Sequence, residues 1–384
     1  MTKVMTIVGT RPEIIRLSRV IPRLDASVAH VLVHTGQNYD YELNGIFFDE
    51  LQIRRPDHFL EVDTSSLGRV LGDTLVKTET VLRDERPDAV LINGDTNSTI
   101  AAVIAKRMRV PVYHMEAGNR AFDENVPEET NRRIIDHVAD VNLVYSEHAR
   151  RLLLAEGLHP RRVLLTGSPM KEVLEHHRGA VDASTATTDL GLEPRGYLLV
   201  SAHREENVDD PRRLGALLDC LVRARDTFEV PVLVSTHPRT RQRLDVLSLR
   251  PGEERDLTGI TFHPPLGFID YVRLQRDSLC VLSDSGTVAE ESSLLRFPAV
   301  TLRDSIERHE ALEAGAIVMT GLDPDNVVEA IRETTASVDD QGRTCLPVPA
   351  GYEIDNCSER VVRIILSTHR RHEAWSGLRP THPG

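Results

Sequence analysis

A repeated order of β-rich run, turn and helical pattern limits the folds open to this chain. In its first half, five short β-rich runs end in small or polar residues: KVMTIVG, AHVLVHT, DAVLING, VPVYHM and DVNLVYS. Helical patterns such as TNSTIAAVIAKRM lie between most of them. Strands that alternate with helices in this way predict a parallel sheet with helices on both faces.

The pattern then restarts with GYLLVSAH, VPVLVSTH, GITFHP, SLCVLSD and FPAVTLR. A chain of 384 residues is long enough for two domains that each have a core. We therefore predict an α/β chain of two doubly wound, Rossmann-like domains, residues 1–175 and 176–360, followed by a C-terminal helix and tail over 361–384. The segment 176–196 is rich in Gly, Ser, Thr and Asp and is interpreted as a linker region.

Charge and composition argue against several classes of partner. The net charge of −13 disfavours nucleic acid, and no apolar run approaches the ~18 residues of a membrane span. The start MTKVMTIVGTRPEII goes straight into a predicted strand, so a signal peptide is not expected. Four scattered cysteines form neither a CxxC pair nor a disulfide framework. These features favour a cytoplasmic protein.

Several polar motifs follow the predicted strands, where parallel sheets bind ligands. In VGTRPEIIR, Gly9, Thr10 and Arg11 precede a helix that Pro12 suits, which predicts an anion site or, alternatively, a capped turn with a surface arginine. The second and third glycines of a dinucleotide fingerprint are missing, and no P-loop motif is present.

Carboxylates follow two further strands of the first half. In LINGDTNST, Asp95 is a candidate functional carboxylate or a helix N-cap. In HMEAGNR, Glu116 ends a strand, and the HxE pair that it forms with His114 lacks the PCxxC that a zinc deaminase requires. In VPEETNRR, Glu128 and Arg132 share a helix face, either as a surface pair or as ligand-binding residues.

The second half repeats the arrangement of polar groups at strand ends. His203 is followed by Arg204, and His237 lies close to Arg239, which favours an anionic ligand. In SDSGTVAEE, a strand turns through Ser-Gly into a helix that soon carries two glutamates. Such a turn predicts a phosphate site beside an acidic hydrogen-bond acceptor.

Taken together, these motifs resemble those of the non-hydrolysing UDP-N-acetylglucosamine 2-epimerases. The resemblance extends from Gly9 to the region of Gly321 and rests, in order, on GTRPE, HTGQ, NGDT, HMEAG, PEETNR, AHREEN, THP, SDSGTVAEE and ERHEALEAG. It implies a GT-B fold, in which two Rossmann-like domains face a cleft and the C-terminal helix returns to the first domain. It also implies an isomerase that acts on a UDP-sugar without cofactor or metal and forms a homodimer.

The resemblance assigns roles to residues of both halves. The first domain would hold the sugar and the second UDP, and the family's catalytic residues match Asp95, Glu116, Glu128 and His203. The expected substrate-binding residues are Arg11, Arg16, Arg132, Tyr271, Ser285, Gly286, Glu291 and Arg308. Of these, Ser285 and Gly286 would meet the diphosphate, Glu291 the ribose hydroxyls and Tyr271 the uracil. Gln37 and His237 match an allosteric site for a second UDP-GlcNAc in bacterial members.

The implied reaction inverts C2 of UDP-GlcNAc to give UDP-ManNAc through elimination and re-addition of UDP. Several stretches, among them TGSPMKEVL and THPRTR, are closer to a branch that converts a 6-deoxy UDP-N-acetyl-L-hexosamine into UDP-N-acetyl-L-fucosamine, which is the alternative substrate. The chain departs from the family at Arg16, where Lys is usual, and at His309, where Pro is usual. A GT-B glycosyltransferase or a non-catalytic UDP-sugar binder are the alternatives from other functional classes.

Overall fold

The computed structural model describes residues 1–36, 48–236, 238–248 and 255–379. The predicted allosteric residues Gln37 and His237 lie outside these ranges, so that prediction stays untested. Within the described ranges no helix has both the length and the apolar character needed to cross a membrane.

The first sheet has seven strands, all parallel, in the order β3-β2-β1-β4-β5-β6-β7. Its strands are β1 (Lys3–Val8), β2 (Ala29–His34), β3 (His58–Phe59), β4 (Ala89–Asn93), β5 (Val112–Met115), β6 (Val141–Val144) and β7 (Val163–Leu165). Thr6 of β1 pairs with Leu32 on one side and Leu91 on the other, so the chain reverses its winding direction at β1. Ligands bind at such switch points in open α/β sheets.

The second sheet has six parallel strands in the order β10-β9-β8-β11-β12-β13. Its strands are β8 (Leu198–Ser201), β9 (Val232–Ser235), β10 (Ile260–His263), β11 (Cys280–Ser283), β12 (Ala299–Thr301) and β13 (Val318–Met319). Leu198 and Val200 of β8 join one apolar cluster, whereas Leu199 joins another. Because alternate side chains point to opposite faces, the sheet is buried on both sides, as in doubly wound folds.

Helices connect the strands and cover the sheets. Their bounds are α1 (Arg11–Leu17), α2 (Val20–Ser27), α3 (Leu67–Glu85), α4 (Ala101–Arg107), α5 (Pro127–Val138), α6 (Glu147–Ala155), α7 (Met170–Ala183), α8 (Ala186–Asp189), α9 (Glu205–Val208), α10 (Pro211–Phe228), α11 (Pro238–Ser248), α12 (Phe268–Asp277), α13 (Val288–Leu295), α14 (His309–Glu313), α15 (Pro324–Ala336), α16 (Cys357–Thr368) and α17 (His372–Ser376). Short 3₁₀ turns occupy Asn97–Ile100, Pro160–Arg162 and His369–Arg371.

The predicted α/β class with two parallel sheets is confirmed, and each of the ten predicted β-rich runs contains a strand. Sequence reasoning missed β3, β7 and β13, which have two or three residues each and lie at sheet edges. Strands this short give no periodic signal, because periodicity needs several alternations.

Backbone contacts divide the chain into two compact units. Unit 1 comprises 1–120, 127–175 and 350–384, and unit 2 comprises 121–126 and 176–349. The linker interpretation of 176–196 is wrong, because its first residues continue α7 and α8 follows within it. Composition misled here: Ser184 and Thr187 are hydrogen-bonded to Asp270 and Asp277 of α12, so these polar residues attach the segment to unit 2.

Candidate active site

The turn after β1 carries a buried carboxylate. Helix α1 begins at Arg11 with Pro12 in its first turn, as predicted. Glu13 accepts hydrogen bonds from Gly9 N (2.7 Å), Ser98 Oγ (3.0 Å) and the Thr96 hydroxyl, and thereby links the turns after β1 and β4. Burial raises the pKa of Glu13 to about 7, although these hydrogen bonds act in the opposite direction.

Arg11, the residue predicted to bind an anion at this turn, is partly buried. Burial lowers its pKa, and the nearby carboxylate of Glu50 opposes that effect. An arginine held near a helix start with a lowered pKa stays charged at neutral pH, because its ordinary pKa is above 12. It can therefore meet an anionic group at the carboxyl end of β1.

Asp95, after β4, is held by Arg132 of α5. Both Nε (3.0 Å) and Nη2 (2.7 Å) of Arg132 donate to Asp95 Oδ2. Arg132 is 3% exposed and also binds Glu129 at 3.1 Å, so it is a buried arginine and not a surface one. Thr96 accepts from Ser98 N and caps the 3₁₀ turn, so the N-cap interpretation of Asp95 is wrong.

Glu116, after β5, is held by Arg16 of α1. Arg16 Nε lies 3.3 Å from Glu116 Oε2, and Asn93 Nδ2 donates to the same oxygen at 3.5 Å. The Arg16 guanidinium lies 5.7 Å from the Tyr145 ring centroid. Glu116 adopts a φ of +66°, which is uncommon and costly for a residue with a side chain.

The turn that carries Asp95 lies beside the Glu116 carboxylate. A side-chain carbon placed on Gly94, the residue before Asp95, would lie 3.7 Å from Glu116 Oε2. Glu128 lies in the first turn of α5, one helical turn before Arg132, and is half-buried. The first sheet thus brings Asp95, Glu116, Arg16 and Arg132 together at the carboxyl ends of β4 and β5.

A buried ionic network supports both turns. His114 of β5 donates from Nδ1 to Asp136 Oδ1 (2.9 Å) and from Nε2 to the Gly94 carbonyl (2.7 Å). Because a carbonyl and an ionised carboxylate only accept, both ring nitrogens carry protons and the ring is cationic. Burial disfavours the charged ring, but Asp136 and the Gly94 carbonyl outweigh it and raise the pKa of His114.

Asp136 binds three groups at once. Besides His114, it accepts from Gly118 N (3.2 Å) and from Nη1 of the buried Arg120 (2.6 Å). Gly118 has a φ of +85°, and a side chain there would meet the Ala149 carbonyl oxygen at 2.6 Å, so only glycine fits. Burial raises the pKa of Asp136, but His114 and Arg120 outweigh it, so the net effect lowers that pKa.

In unit 2, the turn after β11 is held by Asp284. Its carboxylate accepts from the backbone N–H groups of His203 (3.0 Å) and Arg204 (3.0 Å), which follow β8. The His203 side chain is 45% exposed, with Nδ1 3.5 Å from Asp284 Oδ1. Asp284 therefore joins the carboxyl ends of β8 and β11 and leaves the imidazole accessible.

Ser285 and Gly286 form the turn that leads to α13. Ser285 Oγ lies 3.0 Å from Thr287 Oγ1, and both Ser285 and Gly286 are half-buried. Two guanidinium groups contact the backbone of this turn. Arg308 Nε donates to the Gly286 carbonyl (2.9 Å), and Arg204 Nε donates to the Asp284 carbonyl (3.0 Å). Glu307, which pairs with Arg303 at 2.5 Å, lies beside Gly286.

The residues predicted to bind the nucleoside lie close to one another. Glu291 of α13 accepts from Gln275 Nε2 at 2.6 Å, and Tyr271 of α12 lies near Glu291. Burial and the nearby Glu291 raise the pKa of Tyr271, so its phenol stays protonated at neutral pH. Among the described residues, no group of three or more His, Cys, Asp or Glu side chains is arranged to hold a metal ion.

Comparison with known proteins shows the family of this chain. The family model for UDP-N-acetylglucosamine 2-epimerase matches residues 23–366. The chain belongs to the UDP-N-acetylglucosamine 2-epimerase family. It is therefore an enzyme of an isomerase family, and its two Rossmann-like units place it in the GT-B fold class.

Three relatives illustrate the range of this 2-epimerase family. A UDP-N-acetylglucosamine 2-epimerase structure from Rickettsia bellii is 42% identical, with a TM-score of 0.91 over 99% of this chain and 100% of the other. The Methanocaldococcus jannaschii enzyme, solved with UDP-GlcNAc and UDP, is 30% identical, with a TM-score of 0.88 over 95% and 100%. A UDP-2,3-diacetamido-2,3-dideoxy-D-glucuronate 2-epimerase from Pseudomonas aeruginosa is 34% identical over 89% of this chain and 95% of its own.

Sequence reasoning assigned no role to three buried carboxylates that organise these turns: Glu13, Asp136 and Asp284. Glu13 and Asp284 stand inside the quoted motifs GTRPE and SDSGT, and Asp136 lies one helical turn after Arg132. Helical spacing from a singled-out arginine could have pointed to Asp136. The roles of the predicted site residues themselves stay predictions.

Proposed function

We propose that this chain inverts C2 of a UDP-N-acetylhexosamine, with UDP-GlcNAc and UDP-ManNAc as the pair interconverted. The observation that carries the proposal is the pair of carboxylate–guanidinium contacts after adjacent parallel strands, Asp95–Arg132 and Glu116–Arg16. The relatives solved with UDP-GlcNAc, from M. jannaschii and Neisseria meningitidis, support the same substrate class.

The proposed chemistry needs an acid and a base but no redox cofactor. A base removes the C2 proton, the C–H electron pair forms the C1=C2 double bond, and the C1–O bond breaks with its electrons leaving on UDP. The intermediate is a 2-acetamidoglucal. UDP then adds back at C1 while C2 takes a proton on the opposite face, so the overall reaction is an isomerisation. Asp95, Glu116, Glu128 and His203 are the proposed proton carriers, assigned as a group.

Geometry favours the carboxylates for this task. Each guanidinium fixes the direction of its carboxylate with charge-assisted contacts, which keeps a proton acceptor oriented before substrate arrives. Arg16, where the family usually has Lys, holds Glu116 and cannot itself carry a proton, because arginine stays charged. We infer that Arg16 positions Glu116 and contacts the substrate.

Unit 2 is proposed to bind UDP. The Ser285 hydroxyl and the Gly286 N–H are suited to the diphosphate, and Arg308 adds positive charge that stabilises the leaving UDP. By the family resemblance, Arg11 of unit 1 is a further phosphate contact. Glu291 can accept from both ribose hydroxyls, and Tyr271 is the proposed uracil contact. The division of roles between the two units, a homodimer and a cytoplasmic location are further proposals that rest on the family resemblance.

The exact sugar is the least constrained part of the proposal. His309, where the family usually has Pro, begins α14 and lies 6.0 Å from the Phe122 ring. The 6-deoxy UDP-N-acetyl-L-hexosamine branch remains the alternative. The identity of 34% to a diacetamido-glucuronate 2-epimerase adds a third substrate to test.

Incubation of the chain with UDP-GlcNAc in D₂O tests the proposal. We expect deuterium at C2, read by NMR and mass spectrometry, together with UDP-ManNAc. A different outcome is that UDP-GlcNAc returns unlabelled while the 6-deoxy UDP-N-acetyl-L-hexosamine or the UDP-diacetamido-glucuronate takes up deuterium. That result would identify a different substrate and would support the same epimerase reaction. Without exchange on any of the three, the epimerase proposal fails. UDP released only when an acceptor sugar is added would instead indicate a glycosyltransferase.

A further inference from the structure

Unit 1 contains a cavity of about 390 Å³ on the side of the first sheet opposite the predicted catalytic residues. Its wall residues immediately precede strands: Arg109 and Pro111 come before β5, Asp140 before β6, and Arg161 and Arg162 before β7. Asp95 and Glu116, in contrast, follow β4 and β5. The cavity therefore opens at the amino edge of the sheet and is separate from the proposed epimerase site.

The lining is strongly cationic. Lys106, Arg109, Arg161 and Arg162 bring four positive charges, and Asp140 brings the single carboxylate, an excess of three positive charges in a chain whose net charge is −13. Asp140 is already engaged, since Lys106 donates to it and His372 Nδ1 lies 3.4 Å from it. The carboxylate thus offsets only part of the local charge.

Arg161 and Arg109 lie at the rim of the cavity, where weak contacts hold them. The Arg161 guanidinium stacks on Trp375 at 4.7 Å from the ring centroid and makes one long contact to its carbonyl oxygen (3.4 Å). Arg109 donates to the Arg379 carbonyl at 3.1 Å. Both arginines are exposed, so an anion can attract them without breaking a buried ion pair.

The floor is polar and buried. The Tyr113 hydroxyl lies 2.6 Å from Thr368 Oγ1, and His372 is also buried there. A polar floor, a cationic rim and an aromatic wall are the features of a site for a small anionic ligand, and the volume lies within the ~300–1,000 Å³ of small-molecule sites. Guanidinium groups bind phosphate in a two-pronged geometry that lysine alone does not provide.

We propose that this cavity is a second ligand site that binds a small phosphate-type polyanion between Arg161, Arg109 and Lys106. The excess positive charge attracts the ligand. Binding costs little, because Arg161 and Arg109 give up few existing contacts. It contacts α17 through Trp375 and therefore orders the C-terminal segment of unit 1.

The cavity carries its own reporter, because Trp375 is the chain's only tryptophan. Inorganic pyrophosphate is titrated into the full chain saturated with UDP, so that the proposed nucleotide site is already filled. We expect a saturable change in tryptophan emission as Arg161 leaves the indole for the anion. Sodium chloride at matched ionic strength is expected to give no saturable change.

Two charge reversals of equal size locate the effect. Arg161→Glu is expected to weaken pyrophosphate binding by at least about tenfold, since a charge-assisted contact is replaced by repulsion. Arg151→Glu, on the exposed surface of α6 in the same unit and outside the cavity, is expected to bind as the parent does. Circular dichroism checks whether each variant folds. If Arg161→Glu impairs folding, Arg161→Gln removes the positive charge without reversing it and is tested in its place. The proposal is overturned if no saturable change occurs, if chloride reproduces it, or if Arg161 and Arg151 variants bind equally.

Discussion

Carboxylates in unit 1 differ sharply in what surrounds them. Glu13 accepts from an amide and two hydroxyls, none of them charged. Asp95 and Glu116 each face a guanidinium group. The protonation of Glu13 is therefore governed by burial, whereas the orientation of the other two is governed by their ion pairs.

Glu13 should make stability depend on pH. A carboxyl whose pKa rises on folding from 4.5 to about 7 contributes stability that is fully present below pH 4.5 and is lost as the pH rises through 7. The loss amounts to about 3 kcal/mol. Urea unfolding of the parent and of Glu13→Gln is therefore expected to show the parent losing stability relative to the variant between pH 4.5 and 8. Glu175→Gln, an exposed position on α7, serves as the control. A pH-independent difference between parent and Glu13→Gln would contradict the assignment.

Arg132 and Arg133 form a matched pair for testing the role of Asp95. Arg132→Lys cannot form both of the hydrogen bonds that Nε and Nη2 of Arg132 donate to Asp95 Oδ2. We expect the rate of C2 deuterium exchange to fall about 10- to 100-fold, since misorientation of a reacting group costs that much. Arg133, the next residue, pairs only with Glu129 among its described ion pairs, so Arg133→Lys should exchange at the parent rate. Equal rates for the two variants would remove Asp95 from the reaction.

At the scale of elements, one helix fixes two strand-end turns. Asp136 of α5 reaches the Gly94–Asp95 turn through His114 and the Glu116–Gly118 turn directly through Gly118 N. Arg132, one turn earlier on the same helix, holds Asp95. A shift of α5 would therefore move both predicted catalytic carboxylates together.

Breaking this link should cost both stability and rate. Asp136→Asn leaves two buried cations, His114 and Arg120, with a weaker partner, so we expect a loss of about 3–5 kcal/mol in unfolding free energy. Deuterium exchange should slow as well. Glu156→Gln weakens the Glu156 contact of Arg120 at a part-exposed position and leaves Asp136 in place, so it is expected to cost less than Asp136→Asn, with no change in exchange rate. An Asp136→Asn enzyme with the parent's exchange rate would show that the network is structural only.

These contacts also mark how far sequence reasoning reaches. The runs around β4 and β5 predict buried parallel strands, and the polar residues after them predict a ligand site, because both signals are local. The pairing of Asp95 with Arg132 is not predictable in this way, since 37 residues separate them and only the folded helix brings them together. The edge strand β13 was not predicted for a different reason: its signal is local, but two residues are too few to form a pattern.

At the scale of the molecule, unit 1 is assembled from both ends of the chain. Helix α16 packs on α2, with Arg23 and Glu359 3.6 Å apart across the contact. The Cys357 thiol donates to the Gly167 carbonyl, and Ser358 N donates to Glu172. The first sheet therefore depends on residues that follow it by nearly two hundred positions.

Adjacent positions on α16 test that dependence. Ile365 is 0% exposed and Leu366 is 42% exposed. Ile365→Ala should lower the unfolding free energy by about 2–5 kcal/mol because it leaves a cavity. Leu366→Ala should change it by no more than about 0.5 kcal/mol. Denaturant unfolding compares the two, and similar losses would mean that α16 is not docked through this face.

Because unit 1 is built from separate parts of the chain, it cannot be completed until the C-terminal part has been synthesised. A ribosome that adds roughly 5–20 residues per second delivers the whole of 176–349 before α16 emerges, a delay on the order of 10–30 s. During that interval α2 lacks its packing contact with α16. All strands of the second sheet lie within 198–319, so that sheet can form before unit 1 is complete, and a nascent chain with unit 1 unfinished exposes surface that favours aggregation.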